Sequence, residues 1–389
     1  MKIGYTGNNY PERRNIIDVV EEVSYVNVSK FNKYAYFNKI NFWLNQRGFK
    51  SFFETDYYQF DALRSPRVNG LHFFNSVNFG NEPWMCTFET VLPYFNSIKG
   101  NFKSDQAWEQ ITKDPHVVKA MEAMASHHCK ALFALSKSTK HIQEQLLMHF
   151  PAFRDKIMHK LHVLHPPQIA LPYRPRSWSG TFQLVFVGRA FYRKGGQELI
   201  HALTKIQKEI PIHLTVVSSL DLESGWPGVD EAQRQEDLRW LKDQTWITYF
   251  DQLPNAQVLQ LFEESHLGFL PTWQDTYGYS VLEMQSRGCP VLTTDIRSLP
   301  EINPDQVGWR LSHPVNHWHE WAYLPQKRED ESSQFLSNSI YEKTLEILQN
   351  PQGMEAKGRA AVHRVEKEHH PAAHAEILID YYQQMFPQK

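Results

Sequence analysis

The sequence predicts an α/β fold built from two successive units, each a parallel sheet covered by helices on both sides. Strand-like and helix-like segments alternate along the chain, which is typical of parallel sheets. The length of 389 residues exceeds what one ordinary core holds. Residues 165–180 contain four prolines, show no hydrophobic period and interrupt the alternation. We expect this stretch to connect the two units.

In the first half, short apolar runs predict strands, and longer runs with a helical repeat predict helices. The predicted strands are "MKIGYT", "KSFFET", "GLHFFNS", "PWMCTFET", "ALFALS" and "KLHVLH". The predicted helices are "FNKINFWLNQRG", which Gly48 ends, "HVVKAMEAMASHHCK", and one that starts at "SKST".

The same alternation restarts after the proline-rich stretch. The predicted strands are "FQLVFVG", "IHLTVVSS", "WITYFD", "HLGFLP" and "PVLTT". The predicted helices are "GGQELIHALTKIQKE", "NAQVLQLFEE" and the segment around "SVLEMQS". A polar segment, residues 221–245, is expected to be a surface insertion with one helix. The tail from about Phe335 is predicted to be helical, with breaks at Gly353 and "HHPAA".

Composition limits the classes of partner. Hydrophobic residues make up 41% of the chain and the net charge is −2, so no overall positive field indicates a nucleic-acid partner. The three cysteines are scattered, which favours a reducing compartment over a disulfide framework. No apolar leader or membrane-spanning run is present, and we expect a cytoplasmic protein. The sequence leaves a peripheral contact with a membrane open.

The 19 histidines raise the question of a metal site. His127, His128 and Cys129 are consecutive, and on the helix expected there they would point about 100° apart. The segment "HPVNHWHE" has no better spacing. We therefore expect no metal site.

The segment Phe186–Gly196, "FVGRAFYRKGG", predicts an anion site. A buried strand is followed by Gly188, the cations Arg189 and Lys194, and a double glycine that opens a helix. Ligands of open parallel sheets bind beyond the carboxyl ends of the strands, where helix N-termini present N–H groups. A solvated basic turn is the alternative. The segment matches neither a dinucleotide fingerprint nor a P-loop.

The segment Gln274–Asp295 predicts a loop, a helix and a strand, with an acid at the helix mouth and another about two turns in. Asp275 and Glu283 are candidates to accept hydrogen bonds from the hydroxyl groups of a sugar and a ribose. The alternative is structural, with Asp275 or Thr276 capping the helix and Glu283 pairing with Arg287 at i,i+4.

Together with "LPEI" after the last strand, these motifs resemble the donor half of retaining GT-B glycosyltransferases, especially glycosyltransferase family 4. The resemblance covers residues 182–302. It implies two Rossmann-like, doubly wound domains that face a cleft: an acceptor-binding domain at 1–170 and a donor-binding domain at 171–360. A C-terminal helix, residues 361–389, would pack back on the first domain.

The resemblance also implies roles for single residues. Arg189 and Lys194 would neutralise the donor diphosphate, Glu283 would hold the ribose, and Asp275 would contact the transferred sugar. The remaining donor contacts would come from Gly188, Tyr277, Gly278, Tyr279 and Ser280.

Three positions depart from the family pattern. Asp275 stands where a glutamate is usual. The turn after the first strand offers only Gly7 and Asn8, and Glu89 stands where a histidine is common. Gly7 and Glu89 are candidates for the acceptor or sugar side, although Glu89 also fits an ordinary strand-end carboxylate. His72 and Asn75 end another strand, where a histidine satisfied within the core is the commoner outcome.

The expected function is transfer of a sugar from a nucleoside-diphosphate sugar to an acceptor that is a glycan, a lipid or a small molecule, and the resemblance implies that the anomeric configuration is retained. No cofactor or metal is required. The partners are the nucleotide-sugar donor and an unknown sugar-accepting molecule. The alternatives are a non-catalytic nucleotide-sugar or glycan-binding module and a GT-B phosphorylase or epimerase.

Overall fold

The computed structural model describes residues 1–386 except 53–54, 57, 100–106, 177–178, 224–225 and 328. The chain divides into two compact units. The first unit is formed by Met1–Pro167 together with Pro371–Lys389, and the second by Gln168–His370.

The first unit contains a sheet of six parallel strands. Its strand order is β2-β1-β4-β6-β7-β8, and a separate two-stranded sheet pairs β3 with β5. The strands are β1 (Lys2–Tyr5), β2 (Ser24–Asn27), β3 (Gln59–Phe60), β4 (Gly70–Phe74), β5 (Val77–Asn78), β6 (Trp84–Phe88), β7 (Cys129–Ala134) and β8 (Leu161–Val163). β4 and β6 are buried along their whole length, as strands covered on both faces must be. Part of the predicted strand "KSFFET" lies outside the described residues.

The described residues before the connecting stretch form seven α-helices. They are α1 (Tyr10–Asn15), α2 (Lys33–Asn45), α3 (Asn96–Lys99), α4 (Trp108–Ile111), α5 (Pro115–Ala125), α6 (Lys137–Met148) and α7 (Pro151–Met158). The prediction that the helix of α5 continues through His127 and His128 is wrong. The helix ends at Ala125, and Cys129 already begins β7 because its side chain enters the core.

The second unit also contains six parallel strands, in the order β11-β10-β9-β12-β13-β14. They are β9 (Phe182–Val187), β10 (Ile212–Val217), β11 (Ile247–Phe250), β12 (Leu267–Leu270), β13 (Val291–Thr294) and β14 (Trp309–Leu311). The first five were predicted. β14 was not, because its three residues form no run of apolar side chains.

The helices of the second unit are α8 (Gly196–Ile206), α9 (Glu231–Asp243), α10 (Asn255–Glu264), α11 (Tyr279–Ser286), α12 (Leu299–Ile302), α13 (Glu331–Leu348) and α14 (Pro351–Glu368). The predicted break at Gly353 is wrong. Gly353 lies in the first turn of α14, where its N–H donates to the capping side chain of Asn350, and the break falls before Pro351.

The last helix, α15 (Pro371–Gln383), belongs to the first unit. Leu378 and Tyr382 join the cluster of Ile3, Met85 and Phe133 on the parallel sheet. Tyr382 also contacts the buried His72, at 2.8 Å from hydroxyl to Nδ1, and the other ring nitrogen lies 2.9 Å from the Thr87 hydroxyl. The chain therefore returns to the first sheet after completing the second unit.

Within the described residues, no helix combines the length and apolar character needed to cross a bilayer.

Candidate functional site

Two loops at the same edge of the second sheet carry most of the predicted site residues. Residues 188–195 follow β9 and lead into α8, and residues 271–278 follow β12 and lead into α11. β9 and β12 are neighbouring parallel strands, with Phe186 opposite Phe269. Their carboxyl ends therefore meet at one edge, which is where ligands of such sheets bind.

An ion pair joins the two loops. The Lys194 ammonium bonds to the Asp275 carboxylate, and the side chains are only 16% and 11% exposed. Asp275 also accepts the N–H groups of Thr276 at 2.8 Å and Tyr277 at 3.3 Å. Burial opposes ionisation of Asp275, but the charge and hydrogen bond of Lys194, aided by Arg193, outweigh it and lower the pKa of the carboxyl. Two residues with separately predicted roles are thus partners.

Arg193 strengthens the same junction. Its guanidinium donates to both oxygens of Glu223, at 2.6 and 3.0 Å, and to the Gln274 carbonyl at 2.8 Å. Its own carbonyl accepts from the Trp273 N–H at 2.9 Å and the Thr272 hydroxyl at 3.1 Å. Arg193 belongs to the sequence motif, but the motif predicts no role for it. Glu223 lies in the segment 221–245, which was predicted to be a surface insertion.

Two glycines of the first loop leave room for close neighbours, one in the second loop and one in the first. Gly195 has φ +75°, and a Cβ there would collide with the Pro271 carbonyl. At Gly188 a Cβ would lie 3.3 Å from Cγ of Lys194, so the lysine stem crosses directly over the glycine. Gly195 therefore permits the close approach of the two loops, and Gly188 leaves room for the Lys194 side chain.

Arg189 is placed differently from Lys194. Its side chain is 90% exposed, and its guanidinium lies 3.5 Å from the Asp221 carboxylate. Its carbonyl accepts from the hydroxyl of Ser218, a residue that follows β10. Arg189 thus extends from the same edge with its charged end in solvent, where an exposed ion pair holds it weakly.

Helix α11 starts at Tyr279, which is too late for Asp275 or Thr276 to be its N-cap. Gly278, with φ +90°, is the N-cap of α11, and it has no side-chain cap. A Cβ at Gly278 would lie 2.8 Å from the Leu299 side chain. Because Asp275 bonds to Lys194 and to the loop N–H groups, the expectation that Asp275 or Thr276 caps the helix is wrong.

The predicted donor contacts at the start of α11 fall into two groups. Tyr277 is fully buried, and its carbonyl accepts from the Ser298 hydroxyl at 2.6 Å while its N–H faces Asp275. Tyr279 and Ser280 are half-buried and form the first turn of α11. The N–H groups of a first helical turn have no acceptor within the helix and favour anions.

Glu283 lies inside the unit and not on a solvated helix face. It is 7% exposed, on the helix that packs on β12, where Gly268 makes room for the Met284 side chain. Arg287 makes its ion pair with Glu263 at 3.5 Å, although Glu283 is near enough to act on the Arg287 charge. The alternative that Glu283 and Arg287 form an ion pair on a solvated surface is therefore not supported, because Glu283 is buried.

The first unit brings Gly7 and Glu89 together in one cavity of about 630 Å³. The cavity lies at the carboxyl ends of β1, β4 and β6, which are neighbours in the sheet. Its lining is rich in side-chain amides and carboxylates, with aromatic rings beside them: Asn9, Glu12, Asn32, Asn38, Phe42, Tyr58, Gln59, Asn75 and Glu89.

The local structure explains both predicted residues. Gly7 has φ +81°, and a Cβ there would collide with the Glu12 carboxylate, which accepts the Asn9 N–H at 3.1 Å. Asn75, also in the left-handed region with φ 59°, accepts the N–H of Glu89 at 3.2 Å and donates to its carboxylate at 3.4 Å. Asn75 therefore positions Glu89. His72, by contrast, is a satisfied core residue.

A second cavity, of about 650 Å³, lies among α8, α9 and α13 and contains none of the predicted residues. It opens between helices, away from the strand edge. The described part of the chain contains no group of three or more His, Cys, Asp or Glu side chains that could hold a metal ion.

Comparison with known proteins shows what part of this chain resembles. Residues 181–322, which include both loops, match the Glycosyl transferases group 1 family. An uncharacterized glycosyltransferase of Methanocaldococcus jannaschii is 22% identical over 296 residues, which are 69% of this chain and 71% of that protein.

Solved structures share the fold along nearly the whole chain. A glycosyltransferase from Rickettsia africae aligns with a TM-score of 0.60 at 13% identity, over 99% of this chain and 98% of that one. Anabaena HepE, in complex with UDP and glucose, aligns with a TM-score of 0.57 at 12% identity, over 99% and 100%. At these identities the likeness concerns the fold, and it matches the two-unit GT-B architecture that was predicted.

Proposed function

We propose that the protein transfers a sugar from a nucleoside-diphosphate sugar to an acceptor with retention of anomeric configuration. The premise is that residues 181–322 match the Glycosyl transferases group 1 family. The observation that carries the proposal is the junction of two loops by Lys194 and Asp275 at the carboxyl edge of β9 and β12. The family match includes both loops, and the edge is where parallel sheets bind ligands.

The donor diphosphate is proposed to lie between Arg189 and the first turn of α11. Because Lys194 and Asp275 neutralise each other, Arg189 supplies accessible positive charge at this edge, since its exposed ion pair with Asp221 is weak. N–H groups of the helix N-terminus add partial positive charge. Together they stabilise the negative charge that develops on the leaving diphosphate.

Asp275 and Glu283 are proposed to bind donor hydroxyl groups. Asp275 is held ionised by Lys194 and accepts from the transferred sugar, with its position fixed by two backbone N–H groups. Glu283, buried on α11, accepts from the ribose. Rigid, partly dehydrated carboxylates suit this task because they lose little conformational entropy on binding.

In the reaction, the bond from the anomeric carbon to the diphosphate oxygen breaks as the acceptor oxygen bonds to the same face of that carbon. The acceptor proton passes to the departing diphosphate. No side chain at the edge is assigned as a covalent nucleophile. HepE, of similar fold, is described in complex with UDP and glucose, which supports a nucleotide donor for this chain as well.

The acceptor is proposed to occupy the cavity of the first unit that Gly7 and Glu89 line. Planar amides and carboxylates such as Asn38, Gln59 and Glu89 match pairs of hydroxyl groups, and the rings of Phe42 and Tyr58 suit the apolar face of a sugar. The cavity therefore suits a polyhydroxylated acceptor.

A thermal-shift screen of UDP-, GDP- and ADP-sugars tests the donor, because a ligand that binds only the folded state raises the melting temperature. The sugar that stabilises the protein is then assayed for hydrolysis and for transfer to a panel of saccharides. Stabilisation with neither reaction would indicate a binding module. Turnover that requires inorganic phosphate, or that isomerises the donor without an acceptor, would indicate a phosphorylase or epimerase.

A further inference from the structure

One face of α2 is apolar and aromatic although it is exposed. Tyr36, Ile40, Trp43 and Arg47 are spaced by three or four residues and so share one face of the helical segment. The three apolar side chains are 46%, 43% and 52% exposed. Tyr34 and Asn41, at other positions around the helix, are the buried ones. The face that an ordinary surface helix would make polar is here apolar.

The exposed apolar surface continues beyond the helix. Gly48, with φ +77°, ends the helical segment, and Phe49 and Phe52 follow with exposures of 63% and 78%. Phe42 adds a third phenylalanine. We call the exposed side chains between Tyr36 and Phe52 the α2 surface. Clustered exposed rings of this kind mark an interaction site, unlike single exposed apolar residues.

The segment that carries these rings contains basic residues and no acidic ones, although Glu12 and Glu89 lie in the cavity lining beside Phe42. Residues 23–53 contain no aspartate or glutamate and five lysines and arginines. Lys33 is paired with Asp61 and does not count toward the surface charge. Lys39, Arg47 and Lys50 are exposed. The Arg47 guanidinium lies 3.8 Å from the centre of the Trp43 ring, so a cation and an aromatic ring share one place on the surface.

We infer that the α2 surface docks on a lipid bilayer with anionic headgroups. Aromatic side chains that enter the headgroup region, with cations beside them, are the composition of interfacial segments. The helix has 13 residues and is therefore about 20 Å long, too short to span a core of about 30 Å. It therefore lies on the membrane instead of crossing it.

A nucleic acid is the less fitting partner for this surface. Proteins that bind single-stranded nucleic acids rely on many cations along a groove. This chain has a net charge of −2, and three exposed cations lie among the rings. Ile40 adds an aliphatic side chain to the α2 surface, and an aliphatic side chain cannot stack on bases as an aromatic ring does. The observations favour lipid.

The inference has a consequence for the acceptor that rests on the proposed function. Asn38, at another position of α2, and Phe42, which belongs to the α2 surface, also line the acceptor cavity. A bilayer held against the α2 surface would therefore lie beside that cavity, which suits an acceptor presented from a membrane. Membrane binding is measured without donor or acceptor. A protein that does not bind vesicles can therefore be told apart from a protein that does not transfer sugar.

The experiment is cosedimentation of the full-length chain with vesicles of phosphatidylcholine, alone or mixed with phosphatidylglycerol. We expect binding to the anionic vesicles that weakens as salt increases. Trp43→Ser with Phe49→Ser should lower the partition coefficient at least about tenfold, because two rings no longer enter the headgroup region. Arg47→Gln with Lys50→Gln should lower it by about tenfold or more on anionic vesicles only.

The matched control replaces two exposed side chains elsewhere, Met148→Ser with Tyr323→Ser, which are 60% and 71% exposed. The control should bind like the unchanged protein, and equal melting temperatures establish that all variants fold. Absence of vesicle binding by the unchanged protein overturns the inference, as does an equal loss in the control. Competition by a single-stranded RNA, or a dimer in solution that Trp43→Ser abolishes, would assign the surface to that partner.

Discussion

Lys194 and Asp275, 81 positions apart in the chain, form an ion pair that joins the loop after β9 to the loop after β12. Both side chains are less than one-fifth exposed, and Arg193 joins the same loops through the Gln274 carbonyl while it also pairs with Glu223. The proposed donor edge is therefore preorganised by the protein before any ligand binds.

Breaking this pair should cost stability as well as activity. Lys194→Met leaves the buried Asp275 charge without its partner, and we expect a loss of about 3 kcal/mol in the free energy of unfolding. Asp275→Asn should have a similar effect through Lys194. The double variant should lose less than the sum of the two, because no unpaired charge remains. Urea unfolding measures all three free energies.

Additive losses in that cycle would show that the two side chains do not interact in solution. Donor turnover, measured on the same proteins, separates the roles further. The double variant should remain inactive even where its stability recovers, since the sugar-binding carboxylate is gone.

Arg189→Ala should weaken use of the donor by about 10- to 100-fold without loss of stability. The side chain is 90% exposed and contributes little to folding, whereas a charge-assisted contact to a diphosphate is worth roughly 1.5–3 kcal/mol. The measurement is kcat/KM for the donor beside a thermal melt. Arg239→Ala, an exposed arginine of α9, is the control. Equal kinetics in both variants would remove Arg189 from the donor site.

Glu283→Gln should weaken binding of the free nucleoside diphosphate by roughly tenfold, because an amide accepts ribose hydroxyl groups less well than a carboxylate. Calorimetric titration with the diphosphate identified in the donor screen measures this Kd. Glu263→Gln, which removes the ion-pair partner of Arg287, is the matched control. If the control loses affinity and Glu283→Gln does not, Glu283 has only a structural role.

Glu89→Gln should raise KM for the acceptor by about tenfold, with donor KM unchanged, because Glu89 lines the cavity of the first unit. Glu82→Gln serves as the control, since Glu82 precedes β6 while Glu89 follows it. A change in donor KM alone would move Glu89 from the acceptor side to the donor side.

Acid should destabilise the first unit through His72. Burial lowers the pKa of this histidine to about 3, aided by His374, so the folded state keeps it neutral. Stability that is present above the unfolded pKa of about 6.5 is lost as the pH falls, and His72 accounts for about 2 kcal/mol at pH 5. Unfolding free energies at pH 7 and pH 5 measure the loss.

The His72→Gln variant should be less stable at pH 7, because the contacts to Tyr382 and Thr87 weaken, yet lose less on acidification. His363→Gln, on an exposed helix position, should follow the unchanged protein. An identical pH dependence in His72→Gln would mean that His72 does not carry the effect.

Much of the fold could be predicted because many strands of both sheets are largely buried and form apolar runs in the sequence. β9 and β12 are examples. The strand β2, with only partly buried residues, and the three-residue β14 gave no such signal. The helix α1 was also missed, because its sequence "YPERRN" shows no apolar face.

The candidate site divides in the same way. Gly188, Arg189 and Lys194 were found because they follow a buried strand and precede a helix, which is a local pattern. Glu223 and Asn75 were not assigned roles, since each acts through a partner that is distant in sequence.

The sequence by itself determined most of the buried strands, several of the helices and the loops that follow β9 and β12, because hydrophobic period and glycine placement are local properties. Only the tertiary structure decided that Lys194 and Asp275 neutralise each other, that Glu283 is buried and that Arg189 remains exposed. These outcomes depend on distances between loops far apart in the chain, and both burial and Coulomb energy are set by those distances.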